Sequence, residues 1–293
     1  MCKCSAVLTG AVGAGLVSAL PTAEVAVGDF YSTPMPLPDV AAGAIIRTEP
    51  AHLALSVPGQ PEMIPASATR IMYRSNDTHD EPTAVVGSYL DPAAPWTGPG
   101  ERPLVAFAGG SKGQGDQCAP SELLAKRVDV QPPVDVMVEF DVPALYALLA
   151  RGMAVVMTGY QGLGTPAVDD FLNRKSHGYA VLDAARAASA LPGNGIGAGA
   201  PVRLNGYSQG GSATGAAAEL RLGNQAPAVP VLVASSRNDD VPPCGTVRST
   251  VEQWCAAGAN VELDADLQMP AIAGTAADHV VSFFPGWKGR SDG

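Results

Sequence analysis

The chain has 293 residues, of which 46% are hydrophobic, so one large domain with a sizeable core is within reach. Aromatic residues make up only 5%, and the formal net charge is −10. That acidic balance argues against nucleic acid and against an anionic membrane surface as standing partners, and it suits neutral or weakly charged substrates.

Residues 1–26 read as an export signal. Lys3 supplies a positive start, residues 5–20 are apolar and glycine-rich, and Ala23-Glu24-Val25-Ala26 offers small residues for cleavage before Val27. No other stretch is long enough to span a bilayer. A secreted protein is therefore expected, with residues 27–293 as a single domain. Residues 27–65 are rich in proline and predicted to be irregular. Strands at 69–74 and 83–90, around a polar turn, predict an antiparallel hairpin. His79, Asp80 and Glu81 lie in that turn, which is read as solvated and not as a metal site, because adjacent loop residues rarely converge on one ion.

From there strands and helices alternate. Strands are predicted at 104–108, 153–158, 202–205, 229–234 and 260–266. Helices are predicted at 142–151, 174–190, 212–222 and 246–257, the first with Asp141 as a cap and Pro143 in its opening turn. Alternation of this kind implies an α/β fold, with a mostly parallel central sheet covered by helices on both faces.

The strand-like run Pro201-Val202-Arg203-Leu204 leads into Asn205-Gly206-Tyr207-Ser208-Gln209-Gly210-Gly211, and a helix-forming run follows. Strand, Gly-x-Ser-x-Gly and helix together are the context of a nucleophile elbow. With 33 glycines in the chain, the bare pattern is expected by chance roughly 0.2 times, so the context carries the assignment. A second copy, Gly109-Gly110-Ser111-Lys112-Gly113, also follows a strand, but the glycines and proline after it do not open a helix at once. Ser208 is the candidate nucleophile and Ser111 is not.

In open α/β sheets, function gathers at the carboxyl ends of strands. Asp239 and Asp240 follow the strand at 229–234, and His279 follows the last strand. The order Ser, Asp, His is that of α/β-hydrolases. His279 is assigned as the base that takes the Ser208 proton and returns it to the leaving alcohol. Of the two acids, one orients the imidazole and the other caps the next helix; Asp239 is preferred for the first role. The amide of Gln209, at the helix start, and that of Lys112, in the glycine loop after the strand at 104–108, are assigned as oxyanion donors. Among the other histidines, His52 lies in the irregular opening segment and His177 reads as a helix-surface or packing residue.

Cys2 and Cys4 fall in the signal, which leaves Cys118, Cys244 and Cys255. None has zinc-type spacing with histidine, and no metal is assigned. If residues 246–254 are helical, Cys244 and Cys255 stand about 16 Å apart. A disulfide bridges Cα atoms at most about 7 Å apart.

With these residues in view, the chain resembles the secretory lipase family of α/β-hydrolases. The likeness runs through Gly28-Asp29-Phe30-Tyr31, Arg70-Ile71-Met72-Tyr73-Arg74-Ser75 and Gly115-Asp116-Gln117-Cys118-Ala119-Pro120-Ser121. It continues in Tyr160-Gln161-Gly162-Leu163-Gly164-Thr165-Pro166, Gly206-Tyr207-Ser208-Gln209-Gly210-Gly211 and Trp254-Cys255-Ala256-Ala257-Gly258. The resemblance implies a secreted, monomeric carboxyl ester or triacylglycerol hydrolase that needs no cofactor and touches lipid surfaces transiently. Family members carry a cap between the nucleophile helix and the strand bearing the acid. Here Ser208 and Asp239 are 31 positions apart (239 − 208), so the cap is expected to be absent. The resemblance also implies that Cys118 has lost a cap cysteine as its partner. Two rival readings are a lidless, cutinase-like polyester hydrolase and a cap-deleted scaffold with impaired catalysis.

Overall fold

The computed structural model describes residues 29–53, 66–126, 128–131, 135–221, 231–236 and 244–267. Four strands come first: β1 (Ile45–Ala51), β2 (Ala66–Asn76), β3 (Pro82–Pro92) and β4 (Leu104–Ala108). Helix α1 (Pro120–Lys126), the small hairpin of β5 (Val128–Gln131) and β6 (Asp135–Val138), and helix α2 (Val142–Ala150) follow. Then come β7 (Ala154–Thr158), α3 (Arg174–Ala190), β8 (Val202–Gly206) and α4 (Gln209–Arg221). The described chain ends with β9 (Val231–Ser236), α5 (Cys244–Ala256) and β10 (Val261–Leu267).

The main sheet has six strands in the order β1-β2-β3-β7-β4-β8. It is mixed, where the alternation of elements predicts a mostly parallel one. β1, β2, β3 and β7 pair antiparallel in turn, while β7, β4 and β8 run parallel. The reason is local. The polar turn between β2 and β3 lets the two strands fold back directly, whereas parallel neighbours need a crossover, which α2 and α3 supply. β9 and β10 form a separate parallel pair. Residues 222–230 alone connect α4 to β9, which leaves no room for a cap domain at that point.

β7 and β4 are neighbouring interior strands of this sheet and are buried at every position. Their side chains alternate between two cores, as the period of a strand requires. Leu104, Ala106 and Ala108 face one side with Val156, Val181, Ala184, Ala213 and Ala217. Val105 and Phe107 face the other with Leu145, Leu148, Leu149 and Met157. Alanines dominate where α3 and α4 cover the sheet, so helix and strand backbones approach closely there. This is where the low aromatic content of the chain is used.

Tyr73 ties these layers together. Its buried hydroxyl lies 2.6 Å from Thr158 Oγ1 on β7 and donates to the carbonyl of Ala180 on α3 at 3.1 Å. Ser75, also on β2, donates to the buried carboxylate of Asp183 on α3 at 2.8 Å. Burial pushes the Asp183 carboxyl above its ordinary range.

Tyr73→Phe removes the buried hydroxyl that links Thr158 on β7 to the Ala180 carbonyl on α3. It is expected to lower the free energy of unfolding by about 1–2 kcal/mol, read as a lower midpoint in urea with an unchanged slope.

Candidate active site

The turn after β8 holds Ser208 in a left-handed backbone conformation, φ 55°. For a residue with a side chain this is strained, and such strain gathers where geometry serves function. The neighbouring glycines permit it. A Cβ at Gly206 would fall inside the Gly210 carbonyl oxygen, and one at Gly210 would fall inside that of Ala108. Gly210 N–H donates to the Tyr207 carbonyl at 2.8 Å, and Ser212 N–H to the Ser208 carbonyl at 3.2 Å, so the helix starts at once. Ser208 is exposed at the tip, while Gln209, the first residue of α4, is buried. This is the elbow that the sequence predicts. The helix begins at Gln209 and not at 212, since the elbow glycines are themselves part of its first turn.

The loop after β4 lies against this elbow. The Gly109 carbonyl oxygen is 3.0 Å from where a Cβ on Gly210 would stand. A Cβ on Gly110 would stand 3.0 Å from the Tyr207 ring and 2.9 Å from Phe140. Ser111 is half-buried in this loop, and no helix starts at it: a single 3-10 turn at Asp116–Cys118 comes first and α1 follows. The second Gly-x-Ser-x-Gly is therefore no elbow.

Lys112 turns its side chain inward. Its buried Nζ is 2.6 Å from Asp141 Oδ2 and 3.2 Å from Glu139 Oε1, and it donates to the Gly110 carbonyl at 3.1 Å. The ammonium also lies 4.6 Å from the centre of the Phe140 ring, a cation–π contact. Two buried carboxylates thus share one buried cation. Burial pushes the Glu139 carboxyl upward; the Lys112 charge opposes that shift and Asp141 adds to it. Phe140 meets Tyr207 edge to face, with centroids 6.2 Å apart.

Asp141 stands at the N-cap of α2, as its place before Pro143 predicts, but its side chain makes no capping bond. It accepts instead from Gly110 N–H at 3.1 Å and from Lys112. Tyr160 approaches the same loop from beyond β7, donating to the Gly109 carbonyl at 2.7 Å. His177 stacks on Tyr160 with centroids 4.4 Å apart, and its Nε2 is 3.1 Å from Asp170 Oδ1. His177 is thus a packing residue under the loop. Nearby Asp169 has its carboxyl pushed up to about 6, chiefly by burial and then by the Asp170 charge.

Sequence reasoning named Ser208 as a nucleophile and the amides of Gln209 and Lys112 as oxyanion donors; the structure places all three residues at or just beyond the ends of β8 and β4. Sequence reasoning missed Glu139, Tyr160 and the inward role of Asp141. The signal available for these was the Glu139-Phe140-Asp141 run, where acids flank an aromatic residue just before a helix. Asp239, Asp240 and His279 lie outside the described residues, as does the segment read as a signal. The His79 turn is organised by Asp77, whose Oδ1 accepts from the amides of His79 at 2.7 Å and Glu81 at 2.9 Å. Helix α5 carries both Cys244 and Cys255, about 16 Å apart along its axis, so they do not bridge each other. A cavity of about 270 Å³ beside Trp96, Pro103 and Pro201 opens at the amino ends of β4 and β8, the far end of the strands from Ser208.

The comparisons with known proteins agree with this geometry. The family model for secretory lipases matches residues 129–222, which include the elbow. A probable inactive lipase of Mycobacterium tuberculosis is 28% identical over 212 residues, covering 70% of this chain and 43% of that protein. Candida antarctica lipase A matches in structure with a TM-score of 0.54 at 24% identity, over 70% of this chain and 44% of that one. The rice cell wall degrading esterase LipA from Xanthomonas oryzae matches with a TM-score of 0.50 at 22% identity, over 67% of this chain and 50% of that one. The chain thus spans half or less of the length of these relatives.

Gly210→Ala is expected to cost about 1–3 kcal/mol, because the new methyl group meets the Ala108 carbonyl. Gly215→Ala, on the same helix with open space around it, is expected to be neutral or to stabilise by up to about 1 kcal/mol. Chemical denaturation of the two variants side by side checks the contrast. The fold is that of an α/β-hydrolase, and the sequence likeness that goes with it is to the secretory lipases.

Proposed function

We propose that the chain is a secreted carboxyl ester hydrolase of the lipase and esterase type, acting through an acyl-enzyme on Ser208. The observation that carries this reading is the backbone of Ser208. A strained, exposed serine at a strand–helix junction, with glycines on either side that admit no side chain, has no role in packing. His279 is proposed as the base and later the acid, with Asp239 orienting it. The amides of Gln209 and Lys112 are the proposed oxyanion donors, one from the start of α4 and one from the loop packed on the elbow.

In the reaction, the Ser208 hydroxyl attacks the ester carbonyl and gives up its proton to the imidazole. The tetrahedral oxyanion collapses, and the leaving alcohol takes that proton. Water then repeats the sequence on the acyl-enzyme and releases the acid. The short link between α4 and β9 supports an open site, so short soluble esters are the proposed substrates.

A second reading is a catalytically impaired member of the same family. The observation in its favour is the name of the Mycobacterium tuberculosis relative, a probable inactive lipase. On either reading the elbow is intact.

A p-nitrophenyl ester series on the wild type and on Ser208→Ala tests the proposal. Turnover that favours short acyl chains, and falls by more than about 10³-fold in the variant, is the expected result. Rates that rise smoothly through the solubility limit of one ester are expected for an open site; a sharp jump above the limit would contradict it.

A further inference from the structure

The peptide bond between Gly109 and Gly110 is held at both edges. Its carbonyl accepts from the Tyr160 hydroxyl at 2.7 Å, and its N–H donates to Asp141 Oδ2 at 3.1 Å. Those two bonds fix the plane of the peptide at the point where the loop leaves β4 and crosses the elbow. The loop has no freedom to drift toward its supports either. A Cβ on Gly109 would stand 2.7 Å from Met157 Cε and 2.9 Å from both Asp141 Oδ2 and Lys112 Nζ.

Asp141 is an expensive way to make that bond. Its side chain is fully buried and depends on Lys112 for charge balance. Its Oδ1 is buried without a hydrogen-bond partner among the described residues. An uncompensated buried oxygen of this kind costs stability. Capping α2 would use the same carboxylate at the helix end, yet it makes no such bond. Through Phe140, the preceding residue, the same short segment also touches Tyr207 on the elbow.

We propose that Asp141 is a positioning residue for the oxyanion loop, clamping the Gly109–Gly110 peptide together with Tyr160 so that the amides after it are aligned on Ser208. The proposal rests on the ester-hydrolase reading. It assigns Asp141 no contact with substrate, and it predicts an effect on turnover and not on substrate binding.

Asp141→Ala would open a cavity beside the buried Lys112–Glu139 pair, which is reason enough for that variant not to fold. The test therefore compares Asp141→Asn with Asp141→Leu, both of which leave Lys112 paired with Glu139. Asn keeps an oxygen that can accept from Gly110 N–H; Leu does not. Tyr160→Phe, which frees the Gly109 carbonyl and leaves every charge in place, is the second arm. With p-nitrophenyl acetate, kcat of the Leu variant should fall about 30-fold or more below that of the Asn variant, with KM within about threefold, on the scale of a misaligned oxyanion donor. Tyr160→Phe should lower kcat in the same way. Amide hydrogen exchange at Gly110 should quicken in the Leu variant alone. Equal kcat in the Asn and Leu variants overturns the proposal, as does a loss carried by KM. Ser208→Ala separates the two failures. If it abolishes turnover while the Asn and Leu variants match, only the positioning role falls. If wild-type turnover does not depend on Ser208, the hydrolase reading falls and the positioning role goes with it.

Discussion

The arrangement depends on one close approach, that of the first turn of α4 to the end of β4. Gly210 lies so near the Ala108 carbonyl that no larger residue fits. Because β4 and β8 are neighbours with Ala108 opposite Gly206, the loop leaving β4 and the turn leaving β8 start from the same rung of the sheet. Glycine at that rung brings the Ser208 backbone and the glycine loop into contact. A Cβ there would push them apart and separate a nucleophile from the donors proposed to serve it.

Around that contact the chain places groups that do little for stability. Lys112, Glu139 and Asp141 are buried ions, and a well-packed apolar trio of similar volume would often be as stable or more so. Tyr160 and His177 continue the support on the other side, with His177 stacked beneath the tyrosine ring. Polar groups on both sides hold backbone at fixed angles, which apolar packing does less well because it is not directional. The strands under them are apolar and buried at every position, so the support rests on a close-packed base.

Much of this was legible in the sequence, and the reasons are specific. β4 and α3 match their predicted spans, because β4 is an unbroken apolar run and α3 opens on Asn173, whose side chain accepts from the amides of Lys175 and Ser176. The elbow was legible because its glycines and serine answer to local sterics. β1 was missed since Ile45–Ala51 is an edge strand carrying Arg47, Glu49 and Pro50, the residues that protect an edge and so disguise it. The β5–β6 hairpin was hidden by the prolines at 132 and 133, and α1 by being only 7 residues long. The antiparallel β2–β3 hairpin was legible from its polar turn, but its antiparallel junction with β7 was not, because element alternation does not say which way round a hairpin joins the parallel strands. Asp141 was read as a cap from its neighbours in sequence; its true partners, at 110 and 112, are set by the fold.

The central claim is that Ser208 is a nucleophile presented by this turn. Treatment of the folded wild-type chain with a fluorophosphonate, followed by mass spectrometry of its peptides, tests it most directly. A covalent adduct on the Ser208 peptide, absent from Ser208→Ala, is the predicted result; a folded wild-type chain that stays unlabelled there would contradict it.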